Sequence, residues 1–132
     1  MNDYKIFKSS SDSYEAVKQG WSWPAFFFDI LWALIKQLWG VAAIIFVVTL
    51  IIVIFLTPSL QGLPDDQVIN TMNNISFIIG TPLRIILGVF GNKLREQNLI
   101  KKNYVLVGNI ASTSPAKAIE QYLNGNNSFL EM

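Results

Sequence analysis

The chain has 132 residues, of which 52% are hydrophobic and 14% charged, with a formal net charge of +1 and neither cysteine nor histidine. The missing cysteines exclude disulfides and thiolate metal sites, and the missing histidines exclude the commonest general base and metal ligand. Ten cations nearly balanced by nine acids cannot form the broad basic face that nucleic acid requires, so no nucleic-acid partner is predicted.

The first predicted element is a short strand over residues 3–8, where Tyr4 and Ile6 alternate onto one face. A serine-rich stretch follows, and the sequence YEAVKQ over residues 14–19 predicts one or two helical turns that end at Gly20. Together these elements make residues 1–23 an N-terminal cytoplasmic arm.

Residues 24–37 are predicted to form an aromatic helix at the membrane interface, because indole and phenyl rings favour the boundary between lipid and water. At helical spacing, one narrow stripe of this surface is formed by Asp29, Ala33, Lys36 and Gly40. The residues assigned to the interface are Trp21, Trp23, Phe26, Phe27, Phe28, Trp32 and Trp39.

The uncharged run that follows predicts a transmembrane helix over residues 38–57, since about 20 helical residues cross the hydrocarbon core. A single helix over residues 24–57 would be about 51 Å long, well beyond a core of about 30 Å. We therefore favour an in-plane or shallow re-entrant helix that bends near Gly40 into the span, with one long tilted helix as the alternative. A second apolar block predicts another span over residues 75–91, which leaves residues 58–74 as an external loop.

The cations determine the predicted orientation. The loop between the spans carries Asp65 and Asp66 but no lysine or arginine, whereas both terminal regions carry cations. The positive-inside rule then places both termini in the cytoplasm. We interpret Asp65 and Asp66 as a solvated loop rather than as a cation site. Four cations beyond the second span are predicted to contact lipid headgroups: Lys93, Arg95, Lys101 and Lys102.

Residues 92–132 are predicted to form a cytoplasmic strand–helix segment and tail. The strand occupies residues 104–111 with a bulge at Gly108, and Ser114 caps a helix over 115–123. We expect the strand at the N-terminus to pair with this strand and the helix to lie behind both, because two strands alone are marginally stable. The predicted fold is therefore a mainly α membrane protein, with a two-span transmembrane helical hairpin preceded by an aromatic interfacial helix, and a small α+β cytoplasmic lobe from both termini.

Arg84 is the most informative single residue, since a cation at the bilayer centre costs at least about 2.5 kcal/mol unless it snorkels or pairs. It shares a helix face with Gly80, Gly88 and Gly91, which suit close helix contact. Three interpretations stay open: snorkelling to inner headgroups, pairing with Asp29, or lining a pore in an oligomer. The acids assigned to solvent-facing positions without paired geometry are Glu15, Glu96, Glu120 and Glu131.

Several short motifs occur together in this chain. The most distinctive is the run Gly20-Trp21-Ser22-Trp23-Pro24-Ala25-Phe26-Phe27-Phe28. The others, in order, are Tyr4-Lys5-Ile6-Phe7, Glu15-Ala16-Val17-Lys18, Trp32-Ala33-Leu34, Trp39, Gly91-Asn92 with Arg95, Tyr104, Val107-Gly108 and Ala118-Ile119. In these motifs the chain resembles a family of small bacterial membrane proteins, domain of unknown function 2628. It departs from that pattern at Asn103, where glycine is common, and at Asp29, where a small residue is usual. The resemblance implies a bacterial inner-membrane protein and implies no activity.

The chain has few of the parts that enzymes use. Its serines lack a histidine partner and a G-x-S-x-G motif, and it has no glycine-rich phosphate loop, so neither an enzyme nor a cofactor nor a metal site is predicted. Our first hypothesis is an integral inner-membrane protein that scaffolds or modulates a membrane partner through its aromatic helix and cytoplasmic lobe. The alternative is a small homo-oligomeric channel or transport component that uses Arg84 and the glycine face. The predicted partners are thus the lipid bilayer and either another membrane protein or further copies of the chain.

Overall fold

The structure, a computed structural model, describes residues 1–130 and divides the chain into two compact units. The sheet unit comprises residues 1–22 and those from 89 onward, and the helical unit comprises residues 23–88. Across the described residues, three strands and four helices follow one another as β1 (Asn2–Lys8), β2 (Tyr14–Lys18), α1 (Trp23–Ile35), α2 (Trp39–Leu60), α3 (Asp65–Lys101), β3 (Val105–Ser112) and α4 (Pro115–Leu130). Helix α3 therefore begins in the helical unit and ends in the sheet unit.

In the sheet unit, residues 14–18 form strand β2, so the predicted helical turns are wrong. β2 pairs antiparallel with β1, with Lys18 opposite Tyr4 and Tyr14 opposite Lys8, and Asp12 closes the turn at φ 60°. Glutamate, alanine and lysine favour helices, but so short a helix is not stable in water. Pairing with β1 satisfies the backbone hydrogen bonds of this segment and also buries Ala16 and Val17. Both effects favour the strand over the helix.

Strand β1 lies in the middle of the sheet, in the order β2-β1-β3. It pairs antiparallel with β3, which confirms the predicted pairing of the two terminal strands. The register shifts between Ile6, which faces Gly108, and Phe7, which faces Leu106. This irregularity is the β-bulge that the glycine suggested.

Helix α4 packs on all three strands. The backbone N–H of Lys117 donates to Ser114 Oγ over 3.3 Å, so the predicted N-cap is present. The helix continues to Leu130 instead of ending near residue 123. A glycine inside a helix costs only about 1 kcal/mol, so Gly125 does not stop α4. Residues 131 and 132 of the predicted tail, Glu131 among them, lie outside the described residues.

Two apolar clusters form the core of the sheet unit. Ile6 is fully buried beside Ala16 and Ala118, the last of which belongs to α4. Phe7, the next residue of β1, is buried in a second cluster that includes Leu99 of α3. Since successive side chains of a strand face opposite sides, the two clusters cover the two faces of the sheet. A helix thus contributes to the core on each face.

The connection between α3 and β3 is a left-handed turn at Asn103. This residue has φ 64°, and the N–H of Tyr104 donates to the Leu99 carbonyl over 3.0 Å. Asparagine tolerates this backbone region better than most residues other than glycine. The tight turn is therefore made with Asn103 in place of a glycine.

In the helical unit, α1 and α2 are separate helices that pack against each other. Residues 36–38 connect them, with Gln37 at φ 56° and the N–H of Leu38 donating to the Ala33 carbonyl over 2.8 Å. The alternative of one long helix is therefore wrong, and the break comes just before Gly40.

The connection between α2 and α3 is much shorter than the predicted loop over residues 58–74. Pro58 lies inside the last turns of α2, and α3 begins at Asp65. Asp65 and Asp66 occupy the first turn of α3, where negative charge stabilises the positive end of the helix dipole.

Within residues 1–130, two helices are long and apolar enough to cross a membrane, namely α2 and α3. Only 11% of the most apolar stretch of α2 and 17% of that of α3 are buried. Both helices therefore expose most of their apolar side chains.

Replacing Gly108 with alanine should destabilise the sheet unit by about 1–2 kcal/mol, as overpacking of a core does. A Cβ at this position would lie 2.9 Å from Cε2 of the Tyr122 ring, and this ring packs against the buried cluster that contains Ile6. Thermal unfolding in detergent followed by circular dichroism measures the effect. Gly125→Ala is the control, because a Cβ there meets nothing within 4 Å, and it should leave stability unchanged or slightly raised. An equal change in stability in the Gly108→Ala and Gly125→Ala variants would contradict the prediction.

Candidate functional site

Helix α1 is interrupted at Asp29, whose backbone has φ 30° and ψ −102°. Among the described non-glycine residues with positive φ, Asp12, Gln37 and Asn103 lie in turns and Asp29 lies inside a helix. The Asp29 carboxylate accepts a hydrogen bond from the N–H of Ile30, which satisfies one donor that the break releases. Sparsely populated conformations of this kind persist where the surrounding structure holds them, and they are concentrated at functional sites.

The break brings Asp29 together with Arg84, the two membrane-zone charges that the sequence singled out. Arg84 Nε lies 3.4 Å from Asp29 Oδ2, at the long end of hydrogen-bond distance. The Asp29 side chain is 27% exposed and that of Arg84 is 52% exposed. Of the three interpretations of Arg84, the structure thus shows the ion pair with Asp29. The guanidinium keeps donors to spare, since no other hydrogen bond of Arg84 occurs within residues 1–130.

The pair lies at one end of an apolar cleft between α2 and α3, with a volume of about 450 Å³. Aliphatic side chains such as Ile45 and Val53 form most of its walls. Thr49 also lines it, but its hydroxyl donates to the Ile45 carbonyl over 2.8 Å. On the α3 side the wall is open at Gly80, where a Cβ would meet nothing within 4 Å. The volume falls within the range of roughly 300–1,000 Å³ that is usual for small-molecule sites.

The aromatic residues of α1 differ in exposure, since Trp23, Phe27 and Phe28 are exposed, Phe26 is half-buried and Trp32 is buried. Trp23, Phe26 and Phe27 form a cluster, with the rings of Trp23 and Phe27 stacked at 5.7 Å and those of Phe26 and Phe27 edge-to-face at 5.0 Å. Trp32 is only 4% exposed, so its assignment to the lipid interface is wrong. It is one of the buried residues of α1, with Ala25 and Ala33.

The other interface residues lie at the surface to different degrees. Phe28 and Trp39 are exposed like Trp23 and Phe27, whereas Trp21, in the sheet unit, is half-buried. The predicted stripe is also not continuous, because the chain breaks at Asp29 and again at residues 36–38, and Ala33 is fully buried. The face of α1 that is not exposed is therefore the one that carries Trp32 and Ala33, and not the predicted polar stripe.

The sheet unit holds a polar cluster that sequence reasoning missed. Glu96 of α3 accepts hydrogen bonds from Lys5 Nζ over 2.9 Å and from Gln19 Nε2 over 2.8 Å. Asn92 Nδ2 donates to the Gly20 carbonyl over 3.0 Å. These contacts join α3 to the N-terminal hairpin and border a hollow of about 260 Å³.

The predicted headgroup cations have different surroundings. Arg95, which was predicted to contact lipid headgroups, forms an ion pair with Glu15. Glu15, which was assigned to a solvent-facing position without paired geometry, therefore has a partner. Lys93 borders the polar cluster, and Lys101 and Lys102 lie exposed at the end of α3. The three lysines remain candidates for headgroup contacts, whereas Arg95 stabilises the sheet unit.

The hairpin turn of the sheet unit holds a further ion pair. Lys8 Nζ lies 2.8 Å from Asp12 Oδ1 and 5.6 Å from the centroid of the Tyr14 ring. The hydrogen bond to Asp12 raises the pKa of Lys8 above its ordinary value. Lysine is charged at neutral pH in any case, so this pair has the character of a surface ion pair. In the part of the chain that the structure describes, no group of three or more acidic side chains could hold a metal ion.

The chain is similar to known proteins over most of its length. The sequence model of a family described as "Protein of unknown function (DUF2628)" matches residues 3–100. An uncharacterized protein of Rickettsia prowazekii (strain Madrid E), RP318, is 27% identical over 126 residues, which cover 93% of this chain and 95% of that protein. No solved structure matches. The family match includes the broken helix, both residues of the Asp29–Arg84 pair and the polar cluster.

Proposed function

This chain belongs to the DUF2628 family of proteins of unknown function, and we propose that it is an integral membrane protein that acts by binding a partner rather than by catalysis. In this proposal α2 and α3 cross a bacterial inner membrane. The aromatic helix α1 and the sheet unit form the surfaces that meet the partner.

The exposure of α2 and α3 is the observation that carries the membrane assignment. The core helix of a soluble protein is mostly buried, whereas the apolar stretches of these helices are mostly exposed. Soluble proteins rarely expose contiguous apolar patches beyond a few hundred Å². A helix also satisfies its own backbone hydrogen bonds, as a lipid-exposed segment must. The relative from Rickettsia prowazekii, a bacterium, supports the bacterial assignment.

The contact between Asp29 and Arg84 supports a re-entrant α1. Arg84 lies in the apolar part of α3, and a side chain that reaches it over 3.4 Å must lie at a similar depth. The break at Asp29 fits this placement, because interrupted helices are tolerated at membrane depth where they are buried in protein or line a cavity. A helix lying flat at the headgroups would not bring Asp29 to this depth.

The orientation can be tested with single cysteines, because the chain has none of its own. We expect Gln61→Cys, in the connection between α2 and α3, to react with a membrane-impermeant maleimide applied to intact spheroplasts. Ser11→Cys, in the hairpin turn of the sheet unit, should react only after the membrane is opened. These reactivities follow from the cation distribution, which by the positive-inside rule predicts both termini in the cytoplasm. The reverse pattern would invert the orientation, and labelling of neither before lysis would contradict a spanning hairpin.

The edge of the sheet is the partner surface that we propose. The order β2-β1-β3 leaves β3 with one unpaired side, and Val105 and Leu106 at its start are 64% and 47% exposed. An open edge with exposed aliphatic residues is a template for strand addition by another protein. This geometry favours a scaffold that receives an extended segment of its partner.

Partner binding at β3 can be tested by site-specific photo-cross-linking at position 106 in native membranes, followed by affinity purification. We expect one stoichiometric cross-linked protein, and we expect Leu106→Lys to lose it. Ile100→Lys is the matched control, since Ile100 is an aliphatic residue of the sheet unit with 58% exposure that lies off the sheet, and it should retain the partner. Purification without any stoichiometric partner, or equal loss in both variants, would overturn the scaffold proposal.

A second candidate function is a small homo-oligomeric channel or transport component. The observation that favours it is the cleft, which holds a broken helix, an ion pair and the open wall at Gly80. Half-helix ends of this kind form substrate sites in transporters. Native mass in mild detergent separates the two proposals, because a channel requires a defined homo-oligomer and the scaffold requires a monomer or a hetero-complex.

A further inference from the structure

We propose that the cleft between α2 and α3 binds one zwitterionic phospholipid with a primary ammonium in its headgroup. The lipid phosphate would accept hydrogen bonds from Arg84, its ammonium would donate to Asp29, and one acyl chain would lie along the aliphatic walls. The inference rests on the membrane insertion proposed above and goes beyond it by naming the occupant of the cleft.

Hydrogen-bonding capacity is the first argument. A guanidinium has five N–H donors, and within residues 1–130 Arg84 uses one, Nε, in its contact with Asp29. The Asp29 carboxylate accepts from Arg84 and from the Ile30 N–H, whereas an ionised carboxylate has about four acceptor sites. In a lipid environment spare donors and acceptors need partners. Both members of the pair thus have capacity for a ligand that accepts on one side and donates on the other.

Net charge is the second argument. Asp29 and Arg84 cancel each other, so an anionic lipid would leave one unbalanced negative charge in the membrane, which is costly. A phosphate joined to an ammonium adds no net charge and places opposite charge next to each member of the pair. A quaternary choline is also zwitterionic, but it has no N–H with which to donate to Asp29. The pair is therefore complementary to an ethanolamine headgroup.

The shape of the cleft accounts for the acyl chain. Along α2 its wall extends from Ile45 to Leu56, about 16 Å at the helical rise. On the α2 side the wall is aliphatic apart from Phe46 and Thr49, and the Thr49 hydroxyl already donates to a carbonyl. Ser76 adds a hydroxyl on the α3 side. Such a surface offers water few partners and suits a hydrocarbon chain.

The depth of the pair distinguishes this site from ordinary lipid contact. Ile45, on the wall beside the pair, lies about 9 Å beyond Trp39, where α2 begins. A headgroup held there is drawn below the level of its neighbours in the bilayer. We therefore expect a lipid that exchanges slowly and remains bound through purification.

Native mass spectrometry of the full chain in mild detergent tests the proposal. After delipidation, the protein is incubated with phosphatidylethanolamine, phosphatidylcholine or phosphatidylglycerol of identical acyl chains. We expect a single phosphatidylethanolamine adduct, retained at least about tenfold better than either other lipid. N-methylated phosphatidylethanolamines should bind progressively less well, because each methyl group removes a donor.

Three variants connect the adduct to the cleft. Arg84→Gln should reduce phosphatidylethanolamine retention about tenfold, and Gly80→Leu should do the same by filling the open wall while leaving both charges in place. Arg95→Gln is the matched control, since it breaks the ion pair with Glu15 outside the cleft, and it should retain the lipid.

Several results would overturn the proposal: equal retention of the three lipids, preference for phosphatidylglycerol, no change in both cleft variants, or a lipid-free dimer in which a second copy fills the cleft. The test is also separable from the proposed function. Protein that is washed from membranes by carbonate contradicts membrane insertion itself, whereas protein that stays in the membrane without selective lipid retention contradicts only the lipid site.

Discussion

Replacing Trp32 with alanine is expected to lower the free energy of unfolding by about 3–5 kcal/mol, the usual cost of deleting a buried aromatic side chain. Trp32 is 4% exposed, as buried as Ala42 and Ile45 of the helical unit. The truncation removes apolar contacts and leaves a cavity that the packed helices α1 and α2 cannot close. Thermal or denaturant unfolding in detergent measures the loss.

Trp39→Ala is the matched control for this prediction. The same truncation at a side chain that is 67% exposed creates no cavity, so stability in detergent should change by less than about 0.5 kcal/mol. If the two tryptophans were equivalent interfacial anchors, both variants would alter membrane association alike and neither would lose much stability in detergent. Equal losses in the two variants would contradict the core placement of Trp32.

The difference between these two tryptophans shows what the sequence can specify about α1. Clustered indoles predict proximity to a membrane boundary, but the sequence alone assigned every ring to it. A helix that packs on a neighbour must bury one face, and the neighbour selects the face. Because α2 is almost uniformly apolar, nothing in its pattern indicates which side α1 covers.

Local patterns predicted most of the sheet unit, and the exception has a physical reason. Alternating β-branched and aromatic residues are sufficient to identify β1 and β3, and Ser114 with Pro115 is sufficient to place the start of α4. Residues 14–18 carry helix-forming side chains, and only pairing with β1 makes them a strand. The polar cluster around Glu96 could not be predicted for the same reason, since its partners Lys5 and Gln19 come from the far end of the sequence.

The candidate site was partly within reach of the sequence. A charge in an apolar segment needs a partner of opposite charge. The sequence has an acid, Asp29, in one apolar segment and a cation, Arg84, in another, so it could suggest this pair. The break at Asp29 was not predictable, because the helical pattern runs through it without glycine or an internal proline. The cleft depends on how α2 and α3 are spaced, which no residue pattern in either helix encodes.

If α2 and α3 span the bilayer as proposed, loss of either member of the Asp29–Arg84 pair is expected to cost about 2–3 kcal/mol in a bilayer nanodisc, because each substitution leaves one charge without its partner among apolar helices. Asp29→Asn leaves Arg84 with no described ion-pair partner, and Arg84→Gln leaves the carboxylate next to the helix break. Unfolding of the wild type, both single variants and the double variant gives the coupling between the two side chains.

We expect the double variant Asp29→Asn, Arg84→Gln to be about as stable as either single variant, which corresponds to a coupling of about 2–3 kcal/mol. Two neutral amides can still share a hydrogen bond, whereas a single remaining charge cannot be neutralised by its amide neighbour. Additive losses would show that each charge interacts with lipid headgroups or water independently. The same cycle with Glu15→Gln and Arg95→Gln provides a comparison, because that pair lies in the sheet unit and outside the apolar helices.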